Sequence, residues 1–117
     1  MIRHHTVVET EEFAADARHL KISEEEVTRI ITEVSLNPDG GDVIANSGGL
    51  RKVRIAGRGG GKSGGYRILV LYLNQTCPTY LFAILSKGER ANFSKAELAE
   101  LRMLAAETKR YWKERKR

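Results

Sequence analysis

The sequence has one cysteine, Cys77, and two prolines among 117 residues. A single thiol excludes a disulfide scaffold, and two prolines exclude a collagen-like chain. With no second Cys and no His close to it in sequence, Cys77 reads as a small filler beside Pro78 rather than a metal or redox centre. No apolar run approaches the ~20 residues that span a bilayer. Residues 1–12 contain no apolar core of a secretory signal. The expectation is therefore a cytoplasmic protein with no membrane association. Acidic residues are missing where their absence matters most: residues 43–88 hold neither Asp nor Glu, and no His. That span has no conventional acid/base pair for phosphodiester chemistry, and no metal-ligand spacing appears anywhere. No cofactor is implied.

What the chain does contain is charge sorted along its length. Residues 1–42 carry a net −6, residues 43–88 a net +7, and residues 89–117 a net +4. Solvated surfaces ordinarily mix signs. Forty-six consecutive residues with seven cations and no carboxylate point to an anionic partner, nucleic acid first. A membrane surface would call for a basic amphipathic helix, whereas these cations fall on strands and a loop.

The hydrophobic content of 41% suits one domain over residues 1–117. Thr6–Glu9 reads as a short strand. Thr10 caps a helix carrying Phe13, Ala14, Ala17 and Leu20. Ser23-Glu24-Glu25-Glu26 is a capping box, opening a helix with Val27, Ile30, Ile31 and Val34 on one stripe. The three glutamates suit the positive helix N-terminus better than a metal. Asn37-Pro38-Asp39-Gly40-Gly41 ends that helix. Leu50–Ile55 alternates charged and apolar residues. Tyr66–Leu73 and Thr79–Leu85 are almost wholly apolar, as expected of strands covered on both faces, and Asn74–Pro78 joins them as a hairpin. Ser94-Lys95-Ala96-Glu97 is a second capping box, before a helix with Leu98, Leu101, Leu104, Ala105, Thr108 and Trp112 on one side. The predicted fold is α+β: a short N-terminal strand, two helices, three antiparallel strands and a C-terminal helix. The basic residues from Lys109 onward read either as an RNA contact or as a frayed tail.

Two stretches bear on chemistry. Residues 56–63, Ala-Gly-Arg-Gly-Gly-Gly-Lys-Ser, fit a relaxed phosphate loop, but that mechanism needs a helix to follow, and a strand is predicted. A glycine-rich hairpin tip gripping phosphates through Arg58 and Lys62 fits better. In Leu50–Ile55, side chains alternate, so Lys52 and Arg54 share one face. Adjacent cations repel unless an anion lies between them. Arg67 begins the next strand and Lys87 ends the third. A cluster of Lys52, Arg54, Arg67 and Lys87 would bind a phosphodiester and stabilise its transition state. A lysine among cations gives up its proton more readily and can serve as a base, while an arginine stays charged. The three histidines, His4, His5 and His19, read as surface residues.

Gly48-Gly49-Leu50-Arg51-Lys52-Val53-Arg54, Gly64-Gly65-Tyr66-Arg67-Ile68 and Leu85-Ser86-Lys87-Gly88-Glu89-Arg90, in this element order, resemble the RelE/HigB superfamily of toxins from type II toxin–antitoxin systems. The glycine-rich connection points to a HigB-like branch. The resemblance implies a small RelE-like fold and a ribosome-dependent mRNA endoribonuclease that acts without metal, the 2′-hydroxyl attacking the adjacent phosphate. It implies Lys52 as base, Arg54 and Lys87 on the phosphate, and Arg67 on the transition state. Arg51, Arg58, Lys62, Arg90 and Phe93 are assigned to RNA contact. Family members often carry a tyrosine where Phe93 stands. Phe93 can stack on a base but cannot donate a proton, which leaves Arg90, Lys87 or the ribosome as the acid. The implied partners are the ribosome with its mRNA and a helix-turn-helix antitoxin of the HigA kind. The alternative from the residues alone is a non-catalytic RNA- or DNA-binding domain with the same basic face.

Overall fold

The computed structural model describes residues 4–57 and 65–115. The elements run β1 (Val7–Glu9), α1 (Glu11–His19), α2 (Glu24–Leu36), β2 (Asp42–Val43), β3 (Leu50–Ile55), β4 (Tyr66–Leu71), β5 (Thr79–Ser86) and α3 (Lys95–Arg115). The expected α+β order holds, with one strand more than the sequence suggests. The strands form one sheet in the order β1-β5-β4-β3-β2. β1 lies parallel to β5, and the other pairings are antiparallel.

Local chemistry starts each helix where expected. The Thr10 hydroxyl accepts from the Phe13 N–H at 3.2 Å and donates to the Leu81 carbonyl at 2.7 Å, tying the start of α1 to β5. Ser23 Oγ accepts from the Glu26 N–H at 3.1 Å. Both helices turn their apolar stripes onto one face of the sheet. There Phe13, Ile30 and Val34 pack on Ile55, Ile68, Val70, Leu81 and Ile84. The Glu26 carboxylate, itself buried, takes Arg29 and the Tyr66 hydroxyl.

α3 covers the other face. Its Leu101 and Ala105 sit on Leu50, Leu69, Leu71, Phe82 and Ala83, flanked by Leu98, Leu104 and Phe93. This two-sided cover explains the apolar runs of β4 and β5, since a strand between two layers has no polar face. Far along α3, Trp112 Nε1 donates to the Tyr80 hydroxyl at 2.8 Å and Lys109 Nζ donates to the Gly48 carbonyl. The helix persists to Arg115, so most of the basic stretch read as a potential tail is ordered structure.

The phosphate-loop reading fails on context. Residues 58–63 of that string lie outside the described residues, but the element that follows is the strand β4, paired antiparallel with β3, and not the helix that mechanism needs. Among the described residues, no helix is long and apolar enough to cross a membrane.

Candidate functional site

Helix α3 does not itself cover the whole of its face of the sheet, although Arg67 and Leu85 beyond it are buried. Side chains on paired strands line up in rows across the sheet. One row is Leu50 and Leu71. The next is Lys52, Leu69 and Ala83, and the next is Arg54, Arg67 and Leu85. Helix α3 packs on the first two rows but begins only at Lys95. The Arg54–Arg67 row lies beyond its apolar contacts, at the end of the sheet nearest the β3–β4 connection. Two guanidinium-bearing residues thus stand directly opposite one another in an antiparallel pair, a placement worth roughly 0.2–1 kcal/mol of repulsion. Lys52 is half-buried and Arg54 exposed.

Arg67 is only 8% exposed. Its Nε lies 3.4 Å from the Ala91 carbonyl. Its two Nη groups have no described partner, yet they are not among the buried side-chain atoms left unsatisfied. The result is a cation whose stem is packed, whose Nε makes a long contact to the Ala91 carbonyl and whose Nη groups have no protein partner among the described residues, leaving two donors for a phosphate. Among the described residues, none of Lys52, Arg54, Arg67 or Lys87 forms an ion pair.

The other sequence-nominated residues scatter more. Lys87 is exposed in the turn one residue past β5, its N–H bonded to the Gly65 carbonyl at 3.0 Å. Arg51 alternates onto the opposite face of β3, away from Lys52, and its Nη1 donates to the Asp39 carbonyl at 2.9 Å. Arg58 and Lys62 fall outside the described residues. Arg90 is not a free cation. Its Nη1 and Nη2 grip the two Glu97 carboxylate oxygens at 2.7 and 2.6 Å, and its guanidinium stands 5.9 Å from the Phe93 ring centroid. These bonds from Arg90 hold the Glu97 carboxyl far below its ordinary value, at about 2.

Two features of the site escaped the sequence reading. The edge strand β2 brings Asp42 opposite Lys52, so a carboxylate from outside the acid-free span borders the cationic face. Residues 87–94 cross beside the Arg67 row and meet it through the Ala91 carbonyl. The signal for the first was faint: Gly41, with φ +77° and no room for a Cβ against the Lys52 carbonyl, marks close backbone contact ahead of a two-residue strand.

Elsewhere, a cleft of about 520 Å³ opens between the β1 entry, the C-terminus of α2 and residues 72–78. His5 lines it, tilted against Tyr72 at 5.8 Å, with a buried Nε2 that has no partner. His5 is thus half-buried rather than a surface residue, whereas His4 and His19 are exposed. Cys77 is free and buried.

A family profile described as the RelE toxin of the RelE / RelB toxin-antitoxin system matches residues 5–116. Among solved structures, E. coli toxin RelE, carrying two arginine-to-alanine substitutions and in the free state, superposes with a TM-score of 0.51 at 16% identity. The alignment covers 90% of this chain and 97% of that one.

Proposed function

The chain belongs to the RelE toxin family, and from that membership we propose that it is the toxin of a toxin–antitoxin pair, a ribosome-dependent mRNA endoribonuclease. The observation that carries the chemistry is Arg67: buried, its Nε in contact with the Ala91 carbonyl and its Nη groups without a protein partner among the described residues, on the same sheet face as Lys52 and Arg54. In the proposed reaction the ribose 2′-oxygen attacks the adjacent phosphorus and its proton passes to Lys52. The bond from phosphorus to the 5′-oxygen of the next nucleotide breaks. That oxygen takes up a proton, leaving a 2′,3′-cyclic phosphate and a 5′-hydroxyl. Charge builds on the non-bridging oxygens as the phosphorus becomes five-coordinate. A pre-oriented fork stabilises that charge without reorganising, and a donor of this kind is worth on the order of 100–1000-fold in rate. Arg54 and Lys87 hold the phosphate by charge. Phe93 offers a ring for base stacking. Arg90 enters the site already neutralised by Glu97, so Lys87 or the ribosome is the better candidate to protonate the leaving oxygen.

The partner protein is an antitoxin that shields this cationic face. The glycine-rich β3–β4 connection supports a HigB-like branch and hence a helix-turn-helix partner of the HigA kind. Primer extension on a defined message, with and without ribosomes, tests the activity. Cleavage only with ribosomes, abolished in a folded Arg67→Ala protein, is the expected result. A message that stays intact on ribosomes to which the protein is bound would leave a binding module in place of an enzyme.

A further inference from the structure

We infer that Glu97 is a positioning residue for this site: it holds the 87–94 segment so that the Ala91 carbonyl fixes the Arg67 guanidinium. The inference rests on the role of Arg67 proposed above. Glu97 does two jobs with one carboxylate. At the start of α3 it completes a reciprocal capping box, its Oε1 accepting from the Ser94 N–H at 2.7 Å while its own N–H donates to Ser94 Oγ at 3.1 Å. The same carboxylate takes both Nη groups of Arg90.

Arg90 is in turn tied by its N–H to the Ser86 carbonyl at the end of β5, and Phe93 is packed on the α3-side core. Ala91 and Asn92 are thus stretched between two fixed points, and it is the Ala91 carbonyl that meets Arg67 Nε. A helix cap alone needs no arginine, and Gln serves at the same capping-box position. The Arg90 pair is therefore surplus to helix initiation. What it adds is a rigid link from the helix to the residue that orients the fork. Small displacements of such groups cost rate far more than stability.

The two jobs separate by substitution. Glu97→Gln keeps the box and removes the ion pair, while Ser94→Ala weakens the box and keeps the ion pair. In single-turnover cleavage on saturating ribosomes, Glu97→Gln is expected to slow the reaction about tenfold with the half-saturating concentration unchanged. Ser94→Ala is expected to lower Tm and leave the rate within about twofold, since the fork stays anchored. In an Arg67→Ala background, Glu97→Gln should have no further effect, because its influence passes through that fork. A second readout needs no cleavage: the Arg67 Nε–H NMR signal should be resolved in wild type and in Ser94→Ala, and exchange-broadened in Glu97→Gln.

An unaltered Nε–H signal in Glu97→Gln overturns the inference whatever the activity. So does a wild-type rate in Glu97→Gln, or a further slowing on top of Arg67→Ala. Absence of cleavage by the wild type itself would instead remove the endoribonuclease reading and leave the NMR comparison to decide the positioning.

Discussion

Replacing Arg67 by lysine keeps the charge and removes the fork, and the structure fixes what each should cost. In the folded protein the substitution gives up a long Nε contact to Ala91, 3.4 Å, at the weak end of hydrogen-bond geometry and worth about 0.5 kcal/mol. The carbonyl left behind belongs to an exposed residue, so water replaces the donor. The repulsion from Arg54 across the strand pair stays with lysine and is relieved, by roughly 0.2–1 kcal/mol, with alanine. Stability should therefore move by no more than about 1 kcal/mol, or a Tm change within roughly 4–8 °C. The effect on cleavage is of another order. Lysine is a point charge on a flexible stem and cannot make two parallel bonds from a fixed position. The expected loss is about 100-fold, approaching that of alanine, which is roughly 3 kcal/mol of transition-state stabilisation. Tm and single-turnover primer extension on ribosomes measure the two quantities on one preparation. Wild-type cleavage by Arg67→Lys would show that bare charge suffices and that the anchored fork is irrelevant.

Acid should act on Glu97. Its folded value, about 2, lies below the 4.5 of a free glutamate, so the pair contributes stability that is fully present above 4.5 and lost as pH falls from there toward 2. A shielded drop of that size equals roughly 3 kcal/mol, but 38% of the side chain is exposed and screening leaves about 1 kcal/mol. Urea titrations from pH 6 to 2.5 should show that loss in wild type and not in Glu97→Gln. Asp16 works in the opposite direction. Burial pushes its carboxyl up despite the bond it accepts from the Ile84 N–H at 3.2 Å, so stability falls as pH rises through its folded value. Asp16→Asn keeps an acceptor without the charge and should match or exceed wild-type Tm at pH 7, the gain vanishing below pH 3. Gly41→Ala, at φ +77° with the Lys52 carbonyl in the way of a Cβ, should cost about 2 kcal/mol in chemical denaturation. Arg54→Ala should lower the slope of log ribosome affinity against log salt by about 0.7–0.9, the value of one phosphate contact. An unchanged slope would take Arg54 off the phosphate.

Features written into short stretches of sequence were readable before the structure. The alternation in Leu50–Ile55 put Lys52 and Arg54 on one face, and the two capping boxes and the Phe13 and Ile30 stripes marked the helices, because each depends on neighbours within a turn or two. The rest depends on distant pairing. β2 is two residues long and has no period to detect. β1 meets β5 in parallel, Val7 opposite Thr79, across most of the chain. Arg51 and Arg90 looked like further RNA contacts because a list of cations does not say which are already spoken for. One lies on the far face against Asp39 and the other is closed on Glu97.

The decisive quantity, how much of its sheet face α3 itself covers, has no local signature at all. It follows from where α3 docks along the sheet, which is set by Leu101 and Ala105 on the core and Trp112 on Tyr80. With those contacts fixed, the Ser94 cap starts the helix past the segment whose Ala91 carbonyl meets Arg67. The capping box that reads as a helix-start signal is thus also the boundary between α3 and the segment beside the cationic row, and the Arg90–Glu97 pair stands at that boundary. Charge without this boundary would be a basic surface like many others. Charge at the end of a helix-covered sheet, with one arginine packed and anchored, is a site with a direction.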